Sequence, residues 1–223
     1  MDVTRHTEGG ITYFVVSNLD SQFHEVMRHQ FYTEQDRAFR KGFPSEALHL
    51  ETCYRNFARY IEEVILQLAD VHPVPWDDAL TELLEKTAGH SIDWWLGGSA
   101  ALAVRGVEIM PHDLDVITDR SGALALRGVL QDELFEPVVE CRDWICRLFG
   151  RAFLHATIDI AGEVAANVDD PEPTDFGPTA ASRLETVVWR GHPIRVPPLD
   201  LQVRQSERRG LTERVRLIRQ ALG

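Results

Sequence analysis

"WLGGSAALAVRGVEIMPHDLDVITD" (residues 95–119) decides how this 223-residue chain is read. A short apolar run, residues 92–96, meets Gly97-Gly98-Ser99. A small-residue segment then leads to Asp113-Leu114-Asp115 inside "DLDVI". Aspartate is a poor strand former, yet "LDVI" otherwise reads as a strand. Side chains alternate across a strand, so Asp113 and Asp115 share one face and Leu114 takes the other. Carboxylates on one face repel unless a cation stands between them, and Mg²⁺ takes hard oxygen ligands of this kind. Gly-Gly-Ser before a helix presents free backbone amides, a place suited to phosphate. Glycine removes the Cβ that would block close approach. The plainer reading of the turn is a tight bend with Ser99 as helix cap.

Working outward, "HATIDIAGEV" sets Asp159 in an apolar strand context, the candidate third carboxylate on a neighbouring strand. Glu163 would share its face if the strand ran on past Gly162. Taken singly, Asp113 also fits a strand-end residue, Asp115 a salt-bridged one, and Asp159 a partly buried partner of an arginine. The joint arrangement is harder to reach by accident. His112 and His155 flank these strands and fit satisfied structural histidines. Arg105 fits either a surface residue or a phosphate contact, and Trp94 and Trp95 read as core, with one of them available to stack on a base.

The flanks read as follows. Residues 11–17 form a short strand, and residues 21–43 are aromatic-rich and helical in part. A strong amphipathic helix over 45–70 is capped by Ser45 and broken at Pro73 and Pro75. A helix over 76–89, a strand over 92–96, a helix from Ser99 to Gly106 and the "DLDVITD" strand come next. Then follow a helix over 121–134 capped by Ser121, a strand at "EPVVE", and a long strand-like segment over 147–164 with a turn near Gly150. After a loop over 169–179 comes a hairpin turning at Arg190-Gly191, then two helices, 199–209 and 211–222. The expected organisation is a mostly helical N-terminal extension (1–75), a central α/β unit with a mixed sheet (76–198) and arginine-rich C-terminal helices (199–223).

Composition bounds the function. The chain is 44% hydrophobic and 26% charged, ordinary for a protein with a sizeable core. No apolar run reaches about 18 residues, so no membrane span is expected. The start, "MDVTRHTEGG", lacks the pattern of a secretory signal. Three cysteines without a C-x-x-C pair read as reduced thiols of a cytoplasmic protein. A formal net charge of −12 argues against broad binding to nucleic acid. Arg204, Arg208, Arg209, Arg214, Arg216 and Arg219 near the C-terminus run against that balance. Their plainer reading is a solvated helical face paired with Glu207 and Glu213.

Leu96-Gly97-Gly98-Ser99, a spacer over 100–112, Asp113-Leu114-Asp115-Val116 and a later strand aspartate, Asp159, together resemble the nucleotidyltransferase superfamily built on the DNA polymerase beta palm. The resemblance covers about residues 76–200. "PHDLD" (111–115) is also similar to small antibiotic nucleotidyltransferases of the lincosamide and aminoglycoside type, and to nucleotidyltransferase toxins. The resemblance implies an α/β (α+β) palm, a mixed sheet flanked by helices. It implies transfer of a nucleoside monophosphate from an NTP, such as ATP, to a hydroxyl, with release of pyrophosphate. Asp113, Asp115 and Asp159 would hold two Mg²⁺ ions, with Asp159 as general base, and Gly97, Gly98 and Ser99 would bind the nucleotide phosphates. Many relatives carry a lysine in a C-terminal helix; Arg204 is the candidate replacement, able to grip phosphate but not to act as a tunable acid. The acceptor is a small hydroxylated molecule or tRNA. Residues 1–75 match no part of the family and would form an acceptor-side lid or a homodimer surface. The alternative is a catalytically silent nucleotide- or partner-binding module on the same fold.

Overall fold

The computed structural model describes residues 1–221; the helix expected through residue 222 and the unit expected through 223 reach past the described residues. Residues 1–44 form an antiparallel sheet around one short helix: β1 (Asp2–Glu8), β2 (Ile11–Ser17), α1 (His24–His29), β3 (Thr33–Gln35) and β4 (Ala38–Pro44), in the order β1-β2-β4-β3. The expectation of a mostly helical segment over 1–75 is therefore corrected. Helix dominates only from α2 (Leu50–Leu68) onward. The reason lies in β4, where Phe39 and Phe43 are buried on one face with Lys41 between them, so a lysine masks the period of two. The β3–β4 turn, Asp36-Arg37, has φ of 52° and 64°, the primed geometry that Asn-Gly usually signals. Ser45 does not cap α2; its Oγ lies 3.0 Å from Thr12 Oγ1, and the chain enters the helix through His49 at φ 63°.

The central unit runs α3 (Trp76–Thr87), β5 (Trp94–Leu96), α4 (Gly98–Ala103), β6 (Asp113–Thr118), α5 (Arg120–Val129), β7 (Leu134–Glu140), β8 (Cys146–Leu154) and β9 (Ala156–Val164). Its five strands are ordered β5-β6-β9-β8-β7, with β6 and β9 parallel and the other pairs antiparallel. This is the expected mixed sheet flanked by helices. The segment over 147–164 is two strands turning at His155 (φ 60°), not at Gly150. Gly150 sits inside β8, where a Cβ would come within 2.6 Å of the Val138 Cα on β7. Asp119 caps α5 in place of Ser121, its Oδ1 accepting from Gly122 N at 2.6 Å.

The two faces of this sheet have different tasks. Leu114, Val116, Ile158 and Ile160 are fully buried on one face. A Cβ on Gly162 of that face would strike Ala123 of α5, so the helix packs there. Asp113, Asp115, Asp159, Arg151 and Phe149 take the opposite face. Toward β7 that face is covered by α2, where Tyr60 stacks on Phe153 at 4.8 Å and Asn56 Nδ2 donates to the Leu134 carbonyl at 2.8 Å. Beyond the sheet follow α6 (Pro178–Ala181), the hairpin β10 (Glu185–Trp189) and β11 (His192–Val196) turning at Arg190-Gly191, then α7 (Leu199–Arg208) and α8 (Thr212–Ala221). Leu201 of α7 packs against Trp95 and Ile117 and closes the β5 side. No described helix is long and apolar enough to cross a membrane. All three cysteines are free, and burial pushes the Cys53 and Cys146 thiols up to about 12.

Candidate active site

The turn after β5 is tied to the acid strand. Gly97 N donates to the Asp115 carbonyl at 2.8 Å, and Gly98 adopts φ 56°, where a Cβ would collide with Asp115 Oδ2. Glycine is thus required twice at Gly98, by conformation and by space. Ser99 is buried inside α4, and Gly97, not Ser99, occupies the cap position. Gln202 Nε2 of α7 donates to the Gly98 carbonyl at 3.1 Å and braces the turn.

Parallel pairing of β6 with β9 sets Asp115 beside Asp159, with Asp113 two residues earlier on the same face. Ligand atoms of Asp113, Asp115 and Asp159 all lie within 4.8 Å of one another. Burial, then Asp115 and Asp159, raise the Asp113 carboxyl well above its ordinary value; Arg151 and Arg214 oppose this. Burial, then Asp159 and Asp175, push Asp115 up to about 7 against Arg209 and Arg214. Neither Asp113 nor Asp115 has an ion-pair partner among the described residues. Asp159 differs, because its Oδ1 and Oδ2 accept from Arg151 Nε at 2.8 Å and NH2 at 3.2 Å. Both readings of Asp159 hold at once: it joins the acid cluster and it pairs with an arginine. Each carboxylate oxygen keeps a further acceptor direction.

Beside the cluster lies a cavity of about 210 Å³, walled by Gly98, Asp115, Ile117, Ala161, Asp175, Arg209 and Arg214 among others. Asp175 escaped the sequence reading; burial pushes it up to about 6 against Arg209 and Arg214. Its sequence signal is weak, one of two acids in the loop "EPTDFGPT". Burial and the neighbouring Arg209 hold Arg214 below its usual value, while Asp175, Asp115 and Asp113 pull it back up. Arg209 and Arg214 were visible only as part of the C-terminal arginine excess. Arg204, the candidate phosphate ligand, is exposed and does not line this cavity. A turn near Gly150 would leave Arg151 unrelated to Asp159. With the turn at His155, residues 151 and 159 are equidistant from it and must face each other.

The remaining candidates lie elsewhere. His112 is 3.6 Å from Asp70, and His155 is 3.1 Å from Glu82. Arg105 NH2 pairs with Glu185 at 2.5 Å and donates to the Pro197 carbonyl. Trp95 is buried and Trp94 packs on the core, as expected. Glu163 has φ 56° and its Oε2 accepts from Arg120, away from the acids.

Fold and site together give a mixed sheet that carries D-x-D and a third aspartate behind a Gly-Gly turn. The model of the aminoglycoside-2''-adenylyltransferase family matches residues 79–166, the segment that holds the turn and all three aspartates. A crystal structure of a proposed nucleotidyltransferase of Thermotoga maritima is similar at a TM-score of 0.49 and 22% identity, covering 64% of this chain and 89% of that one. ANT(2'')-Ia in complex with adenylyl-2''-tobramycin is similar at a TM-score of 0.44 and 17% identity, covering 65% of this chain and 87% of that one. No curated protein matches the chain in sequence.

Proposed function

We propose that the chain transfers a nucleoside monophosphate from an NTP to the hydroxyl of a small acceptor, releasing pyrophosphate. The observation that carries this is the acid cluster: Asp113 and Asp115, without an ion pair of their own, gathered with Asp159 within 4.8 Å. A donor set of three carboxylates and no nitrogen or sulfur fits Mg²⁺. Asp113, Asp115 and Asp159 would hold the metal, which when bound neutralises charge on the transferred phosphoryl group. The chain's own residues do the rest. The turn at Gly97-Gly98 lets phosphate oxygens approach bare backbone, and Arg209 and Arg214 at the cavity wall offset the charge of the leaving pyrophosphate. Arg151 fixes the Asp159 carboxylate in one orientation. Asp159 serves as a ligand through the acceptor directions that Arg151 leaves open, and the acceptor proton passes to solvent.

An RNA acceptor has less to hold it. Arg208 donates to the Glu172 and Pro173 carbonyls, Arg216 pairs with Glu213, and Arg219 with Glu207. Three of the six tail arginines are thus engaged within the protein, and Arg209 and Arg214 face the cavity. One observation favours the silent-module reading, the forked Arg151–Asp159 pair, which by itself is a structural contact.

The test incubates purified protein with Mg²⁺, each α-labelled ribonucleoside triphosphate, and pools of small hydroxylated acceptors, aminoglycosides among them. Label moving to an acceptor, and lost with Asp113→Ala/Asp115→Ala, is the expected result. Failure of transfer together with failure of triphosphate to raise the melting temperature would leave the silent module.

A further inference from the structure

The face that carries the carboxylates continues beyond Asp159. Arg151 and Phe149 on β8 stand opposite Asp159 and Ala161 on β9, one strand further from Asp115. There the N-terminal sheet and the β7–β8 loop enclose a recess of about 310 Å³, lined by Phe31, Lys41, Cys141, Arg142, Trp144 and Phe149. That is at the lower end of small-molecule sites, roughly 300–1,000 Å³. The Trp144 ring stands edge-on to Phe31 (centroids 5.4 Å, 78°) and to Phe149 (4.7 Å, 89°). Arg151 joins recess to active site: its guanidinium carbon is 4.9 Å from the Phe149 ring centroid, and its Nε donates to Asp159. Ile145 of the same loop lines the cavity beside Asp115, so residues 141–145 divide the two spaces.

The chemistry of the lining is one-sided. It holds three aromatic rings, a lysine and an arginine, and no carboxylate. Lys41 Nζ is committed to Glu136 at 2.6 Å, but Arg142 is exposed and has no ion pair among the described residues. Phe31 is 57% exposed and sits at φ 64°, an apolar ring presented to solvent by a backbone conformation that a bulky residue rarely adopts. Stacking rings and a free guanidinium favour a flat, π-rich ligand of neutral or negative charge. The two cationic side chains, with no carboxylate beside them in the lining, oppose a polycation.

We propose that this recess seats the acceptor, and that the acceptor is a hydroxylated aromatic molecule, neutral or anionic, rather than a polycationic aminoglycoside. The proposal rests on the transferase reading. The acceptor oxygen would form its bond to the α-phosphorus while the bond from that phosphorus to the α,β-bridging oxygen breaks. The bonding pair leaves with pyrophosphate, and the hydroxyl proton goes to solvent. An acceptor held at Phe149 would reach the carboxylates from the β8 side, past Arg151 and Asp159.

The experiment has two arms on the full chain. In the first, 8-anilinonaphthalene-1-sulfonate, an aromatic anion, is titrated and its fluorescence followed. The wild type should bind it, Phe31→Ala and Trp144→Ala about tenfold more weakly, and Trp144→Phe nearly as well as wild type. No binding, or equal binding by the alanine variants, overturns the site. In the second arm, label transfer from α-labelled ATP is compared between 4-(hydroxymethyl)benzoate and kanamycin. The expected kcat/KM is at least tenfold higher for the aryl acceptor, and the alanine variants raise its KM with the KM for ATP unchanged. Equal or better transfer to kanamycin, untouched by Phe31→Ala, overturns the acceptor class. Dye binding as expected, with no triphosphate binding and no transfer to anything, fails the transferase reading instead and takes the acceptor role with it.

Discussion

Glu136 and Asp115 are both acids in the middle of the protein, held near one face of one sheet, and their surroundings differ in kind. Glu136 is 1% exposed and is enclosed by Lys41 Nζ at 2.6 Å, Tyr32 Oη at 2.9 Å and Arg151 NH1 at 3.2 Å. Burial works against its charge, yet the charges of Lys41 and Arg151, with hydrogen bonds from Lys41 and Tyr32, outweigh this and hold the carboxyl below its ordinary value. Asp115 has no such shell, and burial with its acidic neighbours pushes it up to about 7. The chain balances one buried acid from its own side chains and leaves the other for a ligand to balance. Arg151 belongs to both sets, since it bridges Glu136 and Asp159. A charge cluster completed by the protein is architecture, whereas one left unfinished marks a site.

Four substitutions and one titration test that contrast, in falling order of effect. Glu136→Ala leaves buried Lys41 without its carboxylate and takes one of the two from Arg151, and should cost about 3–5 kcal/mol of stability, read from urea unfolding. Stability unchanged within error would mean water already compensates them. Asp115→Asn should lower transfer on the order of a hundred- to a thousandfold, about 3–4 kcal/mol of barrier, while making the metal-free protein more stable. Turnover that survives would break the assignment of Asp115 as a metal ligand.

Titration of the metal-free protein sharpens the same point. Asp115 at about 7 and Asp175 at about 6 both stand above the roughly 3.9 of an unfolded aspartate, so the folded chain binds protons more tightly. Their contribution is fully present below about pH 4 and is lost as pH rises through 7. Melting temperature should therefore fall over that window, less so in Asp115→Asn, and Mg²⁺ should restore it near pH 8. Gly98→Ala imposes φ 56° on a residue with a Cβ aimed at Asp115, costing about 1–2 kcal/mol and weakening triphosphate binding in a calorimetric titration. The smallest effect belongs to Arg204→Ala. Its exposure predicts a stability change within about 0.5 kcal/mol and unchanged kinetics. A tenfold rise in the KM for triphosphate there, and none in Arg209→Ala, would reverse the two arginines.

The acid site was legible to the extent that it is local. The spacing of Asp113 and Asp115, the face they share and the need for bare backbone at Gly98 all follow from neighbours in sequence. The N-terminal sheet was not legible, because Lys41 occupies an inward position between Phe39 and Phe43 and Asp36-Arg37 makes a hairpin turn without glycine. Lys41 points inward because Glu136, on a strand of the other sheet, receives it.

By itself, then, the sequence determined the central alternation of helix and strand, the D-x-D strand behind its glycine turn, and the candidacy of Asp159. Only the tertiary structure decided which acids are balanced: Arg151 against Asp159 and Glu136, Arg209 and Arg214 toward Asp175 and Asp115, Arg204 turned to solvent. Spacing within one strand or turn is set by backbone geometry and can be read from the residues in order. The partner of a buried charge is chosen by the register between strands and by which helix covers the face, and these are settled only when the whole chain packs.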